Sequence, residues 1–196
     1  MESKRLYGKD LIAHCDHLKE LAQEFLDGVG KADMEMYRIE KFKPTPVEQE
    51  HWGKFYDGDS YVCVCKGQKQ YDIHFWEGRD STSDETGSAA AFTDQLMKIL
   101  SMPAHSHLEL MEEETELFLS YFKPGVFYLP GGVDSGFNHV EPTVYETRLL
   151  LVKGNRHPRV FNMPVSADSL NEGDCFVLDV GLTLYYWAGA DSNNRE

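Results

Sequence analysis

One stretch of this chain occurs twice, and that limits the fold more than any other feature. The run from His74 to Glu85, HFWEGRDSTSDE, returns from Tyr185 to Glu196 as YYWAGADSNNRE. Trp, Gly, Asp, Ser and Glu keep their spacing throughout, 111 residues on (76 to 187). A shorter echo precedes each: Gly58-Asp59-Ser-Tyr-Val returns as Gly173-Asp174-Cys-Phe-Val. A period of this size is that of a domain, so the chain reads as two copies of one module. The second copy begins near Thr147, after a Val-Glu-Pro-Thr linker from Val140, and stops where its long helix should start. It is therefore expected to be incomplete, and either to lean on the first copy or to be poorly ordered. The implied division is an N-terminal helical extension over 1–34, a first domain over 35–140 and a partial second domain over 141–196.

In the first copy Trp76 closes a strand, and the chain turns between Gly78 and Ser83. Thr82 with Glu85 three residues on has the form of a capping box, which predicts a helix start. Ala89, Phe92, Leu96 and Ile99 then recur at helical spacing and need a core. Ala91, Gln95, Lys98 and Met102 run along another side that no core explains, and that side is a candidate for a partner. Asp84 and Glu85, in the first turn, suit the helix dipole; one of them can also hold a cation.

The other elements follow from alternation and punctuation. From Met36 the texture is strand-like, with Tyr37 and Ile39 opposite Arg38 and Glu40, until Pro44 and Pro46 break it. Ser60 to Cys65 and Tyr71 to Trp76 predict a hairpin. Leu108–Leu110 predicts a short strand. The acids from Glu112 to Glu116 read as a solvated helix start, with Leu117, Phe118, Tyr121 and Phe122 forming a short helix stopped by Pro124-Gly125. Val126 to Leu129 and the turn-rich segment from Pro130 to Gly136 follow. This order predicts an α/β (α+β) fold, a central mixed sheet between a long and a short helix. Upstream, Leu11, Cys15, Leu18, Ala22 and Phe25 share one face of a further helix, which either docks on the domain or serves as a partner-binding arm.

Charge narrows the function. The 196 residues carry a net charge of −14, which argues against a nucleic-acid surface. No apolar run follows Met1, so no signal peptide is expected, and none is long enough to span a membrane. Four scattered cysteines, Cys15, Cys63, Cys65 and Cys175, read as reduced thiols. These features suggest a cytoplasmic protein. His105 and His107 share a strand face but lack a third zinc ligand. There is no phosphate loop and no nucleophile turn, so nothing argues for an enzyme.

Both copies pair Gly-Asp at a strand start with Glu at a helix start. Two carboxylates and an exposed turn carbonyl are what a hard, oxygen-seeking cation needs, and calcium tolerates irregular geometry. Turn chemistry and capping account for the same residues, although capping alone does not demand the same Glu in register twice.

Several long runs, in order, resemble the gelsolin family: KFYDGDSY from Lys54, YDIHFW from Tyr71, DETGSAAA from Asp84, PGGVDSGFNHV from Pro130 and NEGDCFVLD from Asn171. The likeness covers about residues 35–196 and is nearest to the three-domain members, severin and fragmin. It implies a gelsolin-like fold and a calcium-regulated, non-enzymatic protein of the actin cytoskeleton. Such a protein binds actin monomers and caps filaments at the barbed end, with severing in members whose second domain grips the filament side. By position the first calcium site would use Gly58, Asp59, Glu85 and Val133. A partial, weaker second site would use Gly173, Asp174 and Glu196. The actin-binding residues would be Ala91, Gln95, Lys98, Met102 and Phe137. For the family's second, actin-bridging calcium the carboxylate position falls at Met97, which cannot ligate it, with backbone positions near Met102 and Ala104, so actin binding would depend less on that ion. The phosphoinositide-binding lysines of some members are absent from Val126–Gly131, which argues against lipid control. The basic loop of the second domain keeps only Lys153, Arg156 and Arg159. Residue 188 is Ala where secreted members carry the cysteine that pairs with the one at 175. The alternative is a calcium-stabilised scaffold whose protein partner is not actin.

Overall fold

The structure is a computed structural model and describes residues 34–100, 103–132, 147–154 and 156–192. The N-terminal helix expected over 10–27 lies outside these residues. The described chain forms two compact units, one over residues up to Glu48, Ser60–Glu77 and Thr82–Glu109, the other over Gln49–Asp59, Gly78–Ser81 and Leu110 onward. The fold is α+β.

Among the described residues the first unit is a five-stranded sheet with one long helix. The strands β1 (Met34–Glu40), β2 (Lys43–Pro46), β4 (Ser60–Lys66), β5 (Tyr71–Glu77) and β6 (Ala104–Leu110) lie in the order β2-β1-β4-β5-β6. The expected hairpin is present, with Tyr61 opposite Trp76 and Cys63 opposite His74. Pro44 and Pro46 do not end the sheet, as their sequence suggested. They sit in β2, an edge strand, where a missing N–H costs little. Helix α1 (Ser83–Ile99) covers one face. Its Ala89, Phe92 and Leu96 are fully buried against Tyr37, Ile39, Val62, Val64, Tyr71 and Ile73. Phe92 meets the Tyr37 ring edge-on at 5.3 Å.

The second unit is a six-stranded mixed sheet. Its order is β11 (Leu184–Ala188), β10 (Cys175–Asp179), β8 (Arg148–Lys153), β9 (Arg159–Met163), β7 (Val126–Leu129), β3 (Lys54–Tyr56). Four strands, not only the two predicted, come from the second copy. The strand β7 from the first copy pairs in parallel with β9 from the second. Cys175 stands opposite Ala188 in the ladder and is a free thiol, as are Cys63 and Cys65. The short helix α2 (Glu116–Ser120) is capped by Thr115, whose hydroxyl accepts from the Phe118 amide. Phe118, Phe122 and Phe55 pack ring to ring at 5.0–5.6 Å. Leu117 is exposed, and the buried residues of the helix are Phe118 and Leu119.

The acidic run before α2 is not wholly solvated either. The Glu114 side chain is buried, accepts from the Tyr128 hydroxyl at 2.7 Å and lies 3.6 Å from Arg159. Burial first, and the Glu114 charge second, push the Tyr128 pKa well above its usual 10.0. The unfolded chain therefore loses this proton near pH 10 while the folded chain keeps it. Stability contributed by Tyr128 is complete below pH 10 and is lost as pH rises, with a slope of about 1.4 kcal/mol per pH unit. Tyr128→Phe should cost about 1–3 kcal/mol at pH 7, because Glu114 loses a buried donor. Urea melts at pH 7 and pH 11 should show the gap between wild type and variant narrowing. An equal gap at both would contradict this assignment.

Candidate metal centre

Three successive residues, Asp57, Gly58 and Asp59, run from β3 into β4 and lie beside a glycine turn. The Asp57 amide donates to the Leu129 carbonyl at 2.9 Å, and the Gly58 amide donates to the Gly131 carbonyl at 2.7 Å. The Asp57 carboxylate accepts from the Gly131 amide at 2.7 Å. Asp59 is fully buried.

Two oxygens converge here. A Cβ placed on Gly132 would lie 2.8 Å from Asp59 Oδ1 and 3.0 Å from the Gly58 carbonyl oxygen. The absence of a side chain at 132 therefore lets the turn backbone lie against a carboxylate and a carbonyl oxygen that point to the same place. A Cβ on Gly58 would meet the Gly131 carbonyl at 2.8 Å, so glycine is needed there too. This donor set suits a hard cation such as calcium. Among the described residues, no three side chains from His, Cys, Asp and Glu gather as a metal site, so a cation here would rely on backbone oxygens.

Glu85 is placed by its capping box. Its Oε2 accepts from the Thr82 amide at 2.9 Å and from the Thr82 hydroxyl at 3.0 Å. Gly58 and Asp59 belong to one unit and Glu85 to the other. Val133, Phe137, Met102 and Glu196 lie outside the described residues. On α1, Ala91 and Lys98 are exposed and Gln95 is half-buried, so this side is not part of the core.

The second copy repeats the turn after the hairpin. Gly78 donates to the Asp59 carbonyl at 3.0 Å, and Gly189 to the Asp174 carbonyl at 3.0 Å. Asp80 donates to the Asp57 carbonyl at 2.8 Å, and Asp191 to that of Glu172 at 2.7 Å. Its carboxylate is used differently. Asp174 accepts from Asn171 at 2.8 Å and lies 3.5 Å from Lys153.

A gelsolin-repeat family model matches residues 158–196. The chain is 45% identical over 179 residues to gelsolin of Gallus gallus, covering 88% of this chain and 23% of that protein. It is 42% identical over 177 residues to villin-5 of Arabidopsis thaliana, covering 87% of this chain and 18% of that protein. The chain belongs to the gelsolin family. A further gelsolin-family relative, actin depolymerising venom protein gelsolin 1 of Platymeris rhadamanthus, is 42% identical over 180 residues, 87% of this chain and 48% of its own length. The chain thus spans less than half of each of these relatives. Among solved structures, a Thorarchaeota 2DGel3/rabbit actin complex matches with a TM-score of 0.46 and 22% identity, over 84% of this chain and 81% of that one.

In this gelsolin-family chain Met97 is an exposed thioether on α1 and offers no oxygen to a hard cation. Two of the three cations of the basic loop are engaged by its own acids: Lys153 by Asp174, and Arg159 by Glu114. His107, considered for zinc, instead lies 3.0 Å from Asp72 and stacks on His74 at 4.6 Å. Sequence reasoning missed the buried pair of His74 and Glu109, 2.7 Å apart, and the part played by Asp57. A carboxylate directly before the Gly-Asp pair was the available signal for the second of these.

Proposed function

We propose that this chain is a calcium-regulated, non-enzymatic actin-binding protein that binds monomers and caps the barbed ends of filaments. Membership of the gelsolin family carries the reading, and the name of the Platymeris rhadamanthus relative states action on actin. The outward side of α1, with Ala91, Gln95 and Lys98, is the proposed actin face, left over once Ala89, Phe92 and Leu96 have entered the core. Gly58 and Asp59 would hold calcium, with Glu85 as the further carboxylate that the family resemblance implies. The ion's double charge would offset the buried Asp59 carboxylate and fix the strand entry. With a net charge of −14 the chain gains nothing from long-range attraction to another acidic protein, so burial of apolar surface must supply the affinity. A cytoplasmic, cytoskeletal location belongs to the same proposal. No helix among the described residues is long and apolar enough to cross a membrane.

Pyrene-actin elongation from barbed ends, measured with calcium and with chelator, tests the proposal. Calcium-dependent slowing is expected. Unchanged elongation in both conditions rejects actin as the partner and favours the scaffold reading. Asp59→Ala should abolish most of the calcium-induced rise in Tm, and an undiminished rise removes Asp59 from the site.

A further inference from the structure

We infer that Asp57 is the positioning residue of the proposed calcium site, setting the glycine turn at the distance the ion requires. This rests on the calcium reading above. Asp57 itself is not assigned as a ligand. Its Oδ1 accepts the Gly131 amide at 2.7 Å, while the neighbouring Gly58 amide donates to the Gly131 carbonyl at 2.7 Å. Both polar groups of Gly131 are thus tied to adjacent residues, Asp57 and Gly58. The backbone amide of Asp57 adds a third tie, to Leu129. Together these bonds hold the Gly132 backbone against Gly58 O and Asp59 Oδ1, the two oxygens assigned to the ion. A shift of this turn would displace those oxygens, and calcium ligands sit within a narrow range of 2.3–2.6 Å.

The duplicated module shows what an acid at this position can otherwise do. The residue equivalent to Asp57 is Glu172, 115 positions on (57 to 172). Its Oε2 accepts from the Ala190 amide at 2.8 Å, in the turn that follows its own hairpin. An acid at this place in the module therefore has another structural use, and Asp57 is turned instead onto the loop beside Gly58. In the first copy this carboxylate holds Gly131, beside the place where Gly58 and Asp59 converge.

Calcium ions titrated calorimetrically into the chelator-stripped full chain test the inference. Removal of a residue that orients a ligand set typically weakens metal affinity 10–100-fold. Asp57→Ala and the polar but shorter Asp57→Ser should fall in that range. Asp57→Asn keeps an oxygen that accepts from Gly131 and should bind within about threefold of wild type, although its charge is gone. Should Asp57→Ala fail to fold, the Ser and Asn pair decides. Wild-type affinity in Asp57→Ser overturns the inference, as does an Asn variant as weak as Ser, which would make the charge the operative feature. If wild type itself takes up no calcium, the reading beneath fails and this inference goes with it. If Asp59→Asn abolishes binding while Asp57→Ser does not, only the inference fails.

Discussion

Gly78→Ala is expected to lower the Tm by about 6–12 °C, the shift that a loss of about 3 kcal/mol produces in a chain of this size. A Cβ at this position would lie 2.2 Å from the Asp57 carbonyl oxygen and 2.9 Å from that of Asp59. Both obstacles are backbone, and both are fixed by hydrogen bonds, from Asp80 and from Gly78 itself. No flexible side chain can yield, so the cost should sit at or above the upper end for overpacking, about 3 kcal/mol. Gly189→Ala should behave alike, since its Cβ would meet the Glu172 carbonyl at 2.3 Å. The control is Gly87→Ala on α1, where nothing lies within 4 Å. There the substitution should stabilise by about 0.5–1 kcal/mol, through helix propensity alone. Thermal melts of the three variants test the scheme. A Gly78→Ala protein melting within 1 °C of wild type would show that this turn is not held as described.

These glycines also show where sequence sufficed. The spacing that made the repeat visible is the spacing of the turn itself: Gly78, Asp80 and Ser81 are bonded as Gly189, Asp191 and Ser192 are. Local rules placed the α1 capping box, the Tyr61–Trp76 hairpin and the buried stripe of Ala89, Phe92 and Leu96, because each depends on neighbours a few residues away. What escaped was long-range. Glu114 read as one of several solvated acids, and its partners Tyr128 and Arg159 are remote in sequence. The strands β8 and β9 looked like a basic loop, since Lys153 ends one and Arg159 begins the other. At the candidate cation site, Gly58 and Asp59 were legible from their repetition. The glycine turn that faces them, and the use of Asp57 to hold it, required the fold to bring residues 57 and 131 together.

Phe92→Ala should cost about 3–5 kcal/mol, the range for truncating a buried aromatic. Phe92 is fully buried, lies edge-on to Tyr37 and stands mid-helix between Ala89 and Leu96, so neither the sheet nor the helix can readily collapse into the void. Ala91→Glu, one position away, points the other way on the same turn. Ala91 is exposed, and Glu is a good helix former, so stability should change by no more than about 0.5 kcal/mol. If the outward side of α1 is the actin face, however, a charge at its centre is buried on binding without a partner. Actin affinity should then fall by at least about tenfold, the equivalent of about 1.4 kcal/mol. Urea denaturation and actin binding, measured on both variants, separate the two faces of one helix. A loss of stability in Phe92→Ala with unchanged stability and lost binding in Ala91→Glu is the expected pattern. Full actin affinity in a well-folded Ala91→Glu protein would move the binding surface off α1, while leaving the core assignment of Phe92 untouched.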